Sequence, residues 1–234
     1  MSNLPPLSTI SGPSHSGSPL ARALAILFEP SHVLISTLEP QLASSLKGQN
    51  LTSYSQLIDA ALGAIASWDT SYQSEFIAGH PRIGESKNLS TLSAKEQGVT
   101  TPGIIPTPPE VLARLSHLNT CYETRYTGLR YITFVNGRTR RAVAEEMEDV
   151  LGLEHSLLPD APPPASLSPV EVSGPEWQAE LSRAIRDVGR IAKSRLDTLE
   201  VEGTASGQTR GMKITSTPSQ MSSAYNSRDT TTEN

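Results

Sequence analysis

The apolar residues of this chain recur every three or four positions, and several of the stretches where they do so carry their own start signals. That combination restricts the fold to packed helices. Ser18 followed by Pro19 reads as an N-cap and a first-turn proline, with Leu20, Ala23, Leu24, Leu27 and Phe28 along one helical face. A weaker helix spans 31–46, where Pro40 must kink it or divide it in two, because proline lacks an amide and its ring strikes the carbonyl four residues back. Leu57, Ile58, Ala61 and Ile65 define a third helix, and Trp68 to Ile77 a fourth. Thr107-Pro108-Pro109-Glu110 has the capping-box form ahead of Val111, Leu115, Leu118 and Tyr122. Thr139 is placed to cap a helix reaching Leu151, with Gly152 as its left-handed stop. The last helix runs from Pro175 to Leu199, its stripe reading Trp177, Leu181, Ala184, Val188 and Ile191, with Arg195 next on the same line.

One stretch breaks the pattern. Tyr131, Ile132, Thr133, Phe134 and Val135 form a short β-prone run between Gly128 and Asn136-Gly137. A lone strand makes no sheet, so the expectation is an all-α, single-domain helical bundle with one short extended segment. The domain spans 18–200. Residues 1–17, rich in Ser, Pro and Gly, and the polar residues 201–234 read as disordered tails. Residues 153–173 carry Pro159, Pro162, Pro163, Pro164 and Pro169 and read as an inserted loop, too long for a simple connector.

The formal charge of −5 leaves no basic stripe for phosphates, so a small-molecule partner fits better than a nucleic acid. No apolar run has the length of a membrane span, and the first residues lack the charged start and apolar stretch of a secretory signal. Cys121 is the single cysteine, in keeping with a reducing compartment. A cytoplasmic location is expected, with a peroxisomal one left open although Thr232-Glu233-Asn234 is no targeting tripeptide. His15, His32, His80, His117 and His155 show no paired ligand spacing, so no metal site is expected, and the phosphate-loop, dinucleotide-binding and serine-hydrolase signatures are missing.

Three features carry chemistry. Gly79-His80-Pro81-Arg82-Ile83-Gly84-Glu85 follows a helical segment, and Pro81 disfavours helical geometry for His80, so the imidazole sits where that helix ends, near carbonyls that favour its charged form. It is either a catalytic group or a surface histidine capping a helix. Ser93 and Glu96 stand three apart, either as a capping box or as site residues with Gln97 beside them. Arg195, continuing a buried stripe, either faces a cavity, where its fork suits a carboxylate or ureido group, or snorkels to solvent.

Taken in order, His80-Pro81 with Ile83-Gly84, Ser93-x-x-Glu96-Gln97, Tyr122-Glu123-Thr124-Arg125-Tyr126 leading into 131–135, and Arg190 to Leu196 resemble the 2-oxo-4-hydroxy-4-carboxy-5-ureidoimidazoline (OHCU) decarboxylase family of urate breakdown. The resemblance implies an all-helical fold, usually a homodimer, that converts OHCU to S-allantoin and carbon dioxide without a cofactor. It places the catalytic histidine on His80 with Glu96 beside it in the chemistry. Substrate contacts fall on Pro81, Ser93, Gln97 and Arg195, and on the backbone of Tyr131, Ile132, Thr133, Phe134 and Val135. Two other readings remain: a non-catalytic helical binding protein on the same scaffold, and a metal-dependent amidohydrolase acting on a related ureide.

Overall fold

The computed structural model of the chain describes residues 3–12, 17–85, 89–96 and 107–208. Helices account for the secondary structure of these residues, and no strand occurs among them. The local signals that predict helix starts operate largely as expected. Ser18 accepts from the Ala21 amide at 3.0 Å and opens α1, Pro19–Phe28. The region after it resolves the problem of Pro40 by widening: a π-helical turn, Leu34–Leu38, leads into α2, Glu39–Ser45. In that turn the Glu39 amide reaches back to Leu34. The wider winding moves the carbonyls that the proline ring would strike in a regular helix.

α3, Tyr54–Ala66, is capped by Ser53, and α4, Thr70–Ala78, which starts two residues after the expected Trp68, is capped by Asp69. The carboxylate of Asp69 accepts from two amides, Ser71 and Tyr72, which sets the first turn there. α5, Thr91–Glu96, is a single short turn and a half. α6, Pro109–Arg125, starts without the expected capping box: Pro108 takes the N-cap position and makes no side-chain bond. Pro109 has no amide to be capped, which weakens the case for one. α7, Arg140–Leu151, has both predicted ends, Thr139 accepting from Ala142 at 3.1 Å and Gly152 at φ 68°.

α8, Pro175–Gln208, runs past the expected end at Leu199, so 201–208 are helical, whereas the sequence reads them as tail. It packs against α1, α3 and α4, while α6 packs on α7. Trp177, Leu181, Ala184 and Val188 are buried, and α1–α4 and α6–α8 share one apolar core. Tyr122 on α6 donates to Glu180 on α8 at 2.6 Å, tying the two halves together.

Two expected loose segments are packed. Within 1–17, Ile10 is buried, Leu4 and Leu7 rest on the core, and the Tyr54 hydroxyl donates to the Pro5 carbonyl. Apolar side chains too few to show periodicity are enough to anchor it. The Pro-rich loop is likewise held against the domain. Arg114 donates to the carbonyls of Leu158, at 2.8 Å, and Ala161, and His117 bonds the Pro162 carbonyl at 2.8 Å, strapping the loop onto α6. No helix among the described residues is long and apolar enough to cross a membrane.

Candidate active site

A cavity of about 270 Å³ lies where the ends of α1 and α4, the start of α5, the α6–α7 connection and α8 meet. Its lining includes His80, Pro81, Ser93, Arg195 and all of 131–135, so these expected site residues come together. Gln97 and the side chain of Glu96 lie outside the described residues.

His80 stands just past the end of α4, as Pro81 requires, with its amide bonded to the Ile77 carbonyl at 3.1 Å. Gly79 allows the approach that seats it: a Cβ there would fall 2.6 Å from the Ser31 Cβ. The imidazole is 6% exposed and meets the edge of Phe76 with ring centroids 5.2 Å apart. Its charge state is the reverse of the expected one. Burial, helped by the positive charge of Arg195, pushes its pKa down to about 4, against the weaker upward pull of the Phe76 carbonyl and Glu29. Helix-end carbonyls favour a charged imidazole only where solvent also supports it. Nδ1 lies 3.1 Å from the Phe76 carbonyl, which can only accept, so Nδ1 carries the proton of the neutral ring. Nε2 is then left with a lone pair.

Beside His80 is a residue for which the sequence gives no signal, Glu29. Its Oε1 accepts from Arg195 Nη2 at 2.6 Å, from Ser90 Oγ at 2.8 Å and from Ser93 Oγ. Burial raises its pKa, but the charge of Arg195 and the two hydroxyl bonds outweigh burial and hold the carboxyl below its ordinary value. Ser93 does not cap α5. Ser90 does, accepting from the Ser93 amide at 3.1 Å, which leaves the Ser93 hydroxyl turned into the buried network. The cap of α5 thus lies three residues before the one expected at Ser93. Arg195 is 4% exposed and does not snorkel.

The segment 131–135 has neither helix nor strand pairing. Its carbonyls are held from outside: Arg183 of α8 donates to Ile132 at 2.7 Å, and Arg138 donates to Phe134 at 2.7 Å and Val135 at 3.1 Å. Among the described residues none accepts from the backbone N–H groups of 131–135. These five residues line the cavity, and amide donors left over there suit a polar ligand with carbonyl or carboxylate oxygens. No three His, Cys, Asp or Glu side chains cluster as a metal site among the described residues.

A neutral buried imidazole and a carboxylate–guanidinium pair thus line one small cavity of a helical domain, an arrangement able to move protons on a small polar molecule. A family model described as OHCU decarboxylase matches residues 16–156, more than half of the chain. The chain belongs to that family, carboxy-lyases that decarboxylate OHCU in urate degradation. The match includes His80, Ser93 and 131–135 and ends before α8, which contributes Arg195. The comparisons with curated proteins and with solved structures give no match.

Proposed function

We propose that this cavity is where OHCU loses carbon dioxide, and that His80 moves a proton so that S-allantoin is formed in one handedness without a cofactor. The observation that carries the proposal is the neutral His80, whose Nε2 is an acceptor beside a row of backbone donors. When the bond to the carboxylate breaks, its electron pair forms a double bond to the neighbouring ring carbon as the imine pair moves onto nitrogen. That nitrogen takes up the one proton consumed overall. His80 Nε2 accepts the hydroxyl proton of the resulting enol, and a proton is returned to the neighbouring carbon on the face His80 occupies. The amides of 131–135 hold the ureido arm, Pro81 and Ser93 wall the ring, and Glu96 with Gln97 engages ring or ureido N–H groups. Arg195 completes the wall. The homodimer that the resemblance implies and the cytoplasmic setting expected from the sequence belong to the same proposal.

The test generates OHCU from urate in situ and follows the optical activity of the allantoin formed by wild type and His80→Ala. Wild type is expected to give the S form, in chelator as well as without it, and His80→Ala to be slower by about 100- to 10,000-fold while melting cooperatively. Equal rates with racemic product from both would reject the proposal.

A further inference from the structure

We infer that Glu29 is a positioning residue for the decarboxylation: it fixes the hydrogen-bond direction of Ser93 and balances the charge of Arg195, so that the substrate carboxylate meets a neutral wall rather than a cationic clamp. This rests on the function proposed above. Glu29 ends α1 at φ 70° and ψ 140°, a left-handed region that a side chain larger than glycine enters at a cost. Pro30 follows it, which accounts for the extended ψ but not for the positive φ. The conformation is held by the side chain, whose Oε1 is bonded by residues from α5, from the turn before α5 and from α8.

The bond directions follow from the inventory of protons. A carboxylate only accepts, so Ser93 donates its one proton to Glu29 and accepts from Arg195 Nη2 at 3.0 Å. The lone pair that Ser93 retains can only receive an N–H or O–H from the substrate. Arg195 is equally committed. Its Nη1 lies 3.3 Å from the carbonyls of both Ile26 and Leu27 at the end of α1, and its Nη2 donates to Glu29 and Ser93. The sequence casts Arg195 as a fork for the substrate; in the structure both of its terminal nitrogens donate to the protein. Charge logic favours this arrangement. Loss of carbon dioxide drains negative charge from the carboxylate, so a full positive charge placed against it would bind the ground state more tightly than the transition state. With Glu29 ionised and His80 neutral, the wall formed by His80, Ser93, Glu29 and Arg195 has no net charge.

Glu29→Gln keeps the shape and an oxygen for Arg195 while removing the negative charge. The expected result is a split: KM falls about tenfold because the anionic substrate is now attracted, and kcat falls by about tenfold or more. Glu29→Asp keeps the charge but withdraws the oxygen, and should leave KM within about twofold while lowering kcat about tenfold. It also serves as the deciding variant if Glu29→Gln does not fold. A purely structural role would lower the melting temperature of both variants with kcat per active site and KM unmoved, and that result overturns the assignment. Wild-type protein inert toward OHCU in the same assay removes the proposed function and this inference together, whereas active wild type with unsplit Glu29 variants removes only the inference.

Discussion

Two arginine–glutamate pairs are buried among the described residues, and they serve different ends. Arg114 and Glu148 join α6 to α7 at 2.7 Å, each 1% exposed. Arg195 and Glu29 join α8 to the end of α1 at 2.6 Å, their side chains 3% and 6% exposed. Both glutamates take further bonds on the same oxygen, and both arginines also hold backbone carbonyls. The partners differ. Around Arg114 everything belongs to the strap of the Pro-rich loop: the carbonyls of Leu158 and Ala161, and the Ser156 amide on Glu148 at 3.1 Å. Around Arg195 stand a neutral imidazole and a cavity. A buried ion pair is by itself weak evidence of anything beyond satisfied charge; an open space beside it, lined also by a neutral imidazole, is what marks a site.

The largest effect that separates the two should come from breaking the strap. Glu148→Ala leaves the Arg114 charge enclosed without its partner and is expected to cost about 3–5 kcal/mol of stability. Chemical denaturation measures that loss, and an assay at low temperature on the remaining folded protein should show kcat within about twofold of wild type. A large fall in kcat there would mean that the strap is part of the site, and the contrast would collapse.

The same contrast explains what the sequence reveals. Helix ends are local, so Ser18, Thr139 and Gly152 are legible where they stand. A guanidinium on an apolar stripe marks Arg195, but it also marks Arg114, which lies between Val111 and Leu115; nothing in the spacing separates a strap from a site. Glu29 is invisible in its Phe28-Glu29-Pro30 setting because its partners lie 64 and 166 residues away in the chain. His80 is legible as a helix-end residue but not in its charge, since burial and a distant arginine set that. The N-terminal residues mislead because one buried isoleucine, Ile10, has no period to announce it.

A somewhat smaller effect follows from His80. Its folded pKa of about 4 lies below the ordinary 6.5, so the unfolded chain binds the proton first as pH falls. The contribution is full above 6.5, declines as pH drops from 6.5 to about 4, and is then exhausted; the interval amounts to about 3 kcal/mol. Glu29, lowered from its ordinary value, acts in a separate window, losing its contribution only as pH falls below about 4.5. Urea titrations at closely spaced pH should show His80→Gln with a flatter profile between 6.5 and 4 than wild type, while the loss below 4.5 persists. Parallel profiles for the two proteins would show that the imidazole is not held neutral.

The finest separation compares two N-caps. Thr139 accepts from the Ala142 amide at 3.1 Å and starts α7, the helix that carries Glu148. Ser90 accepts from the Ser93 amide at 3.1 Å and starts α5, but it also donates to Glu29 at 2.8 Å. As caps the two should be worth about the same, roughly 1 kcal/mol each on replacement by alanine. Thr139→Ala is expected to show that loss in stability and nothing in kcat. Ser90→Ala removes one of the bonds that hold the Glu29 carboxylate, so a similar loss of stability should come with a kcat lower by about threefold to tenfold. Measured side by side, equal kcat values for both variants would mean that Glu29 is placed well enough by Ser93 and Arg195 alone. The difference between a helix cap and a site residue at position 90 would then vanish, while a selective loss in Ser90→Ala ties the start of α5 to the chemistry.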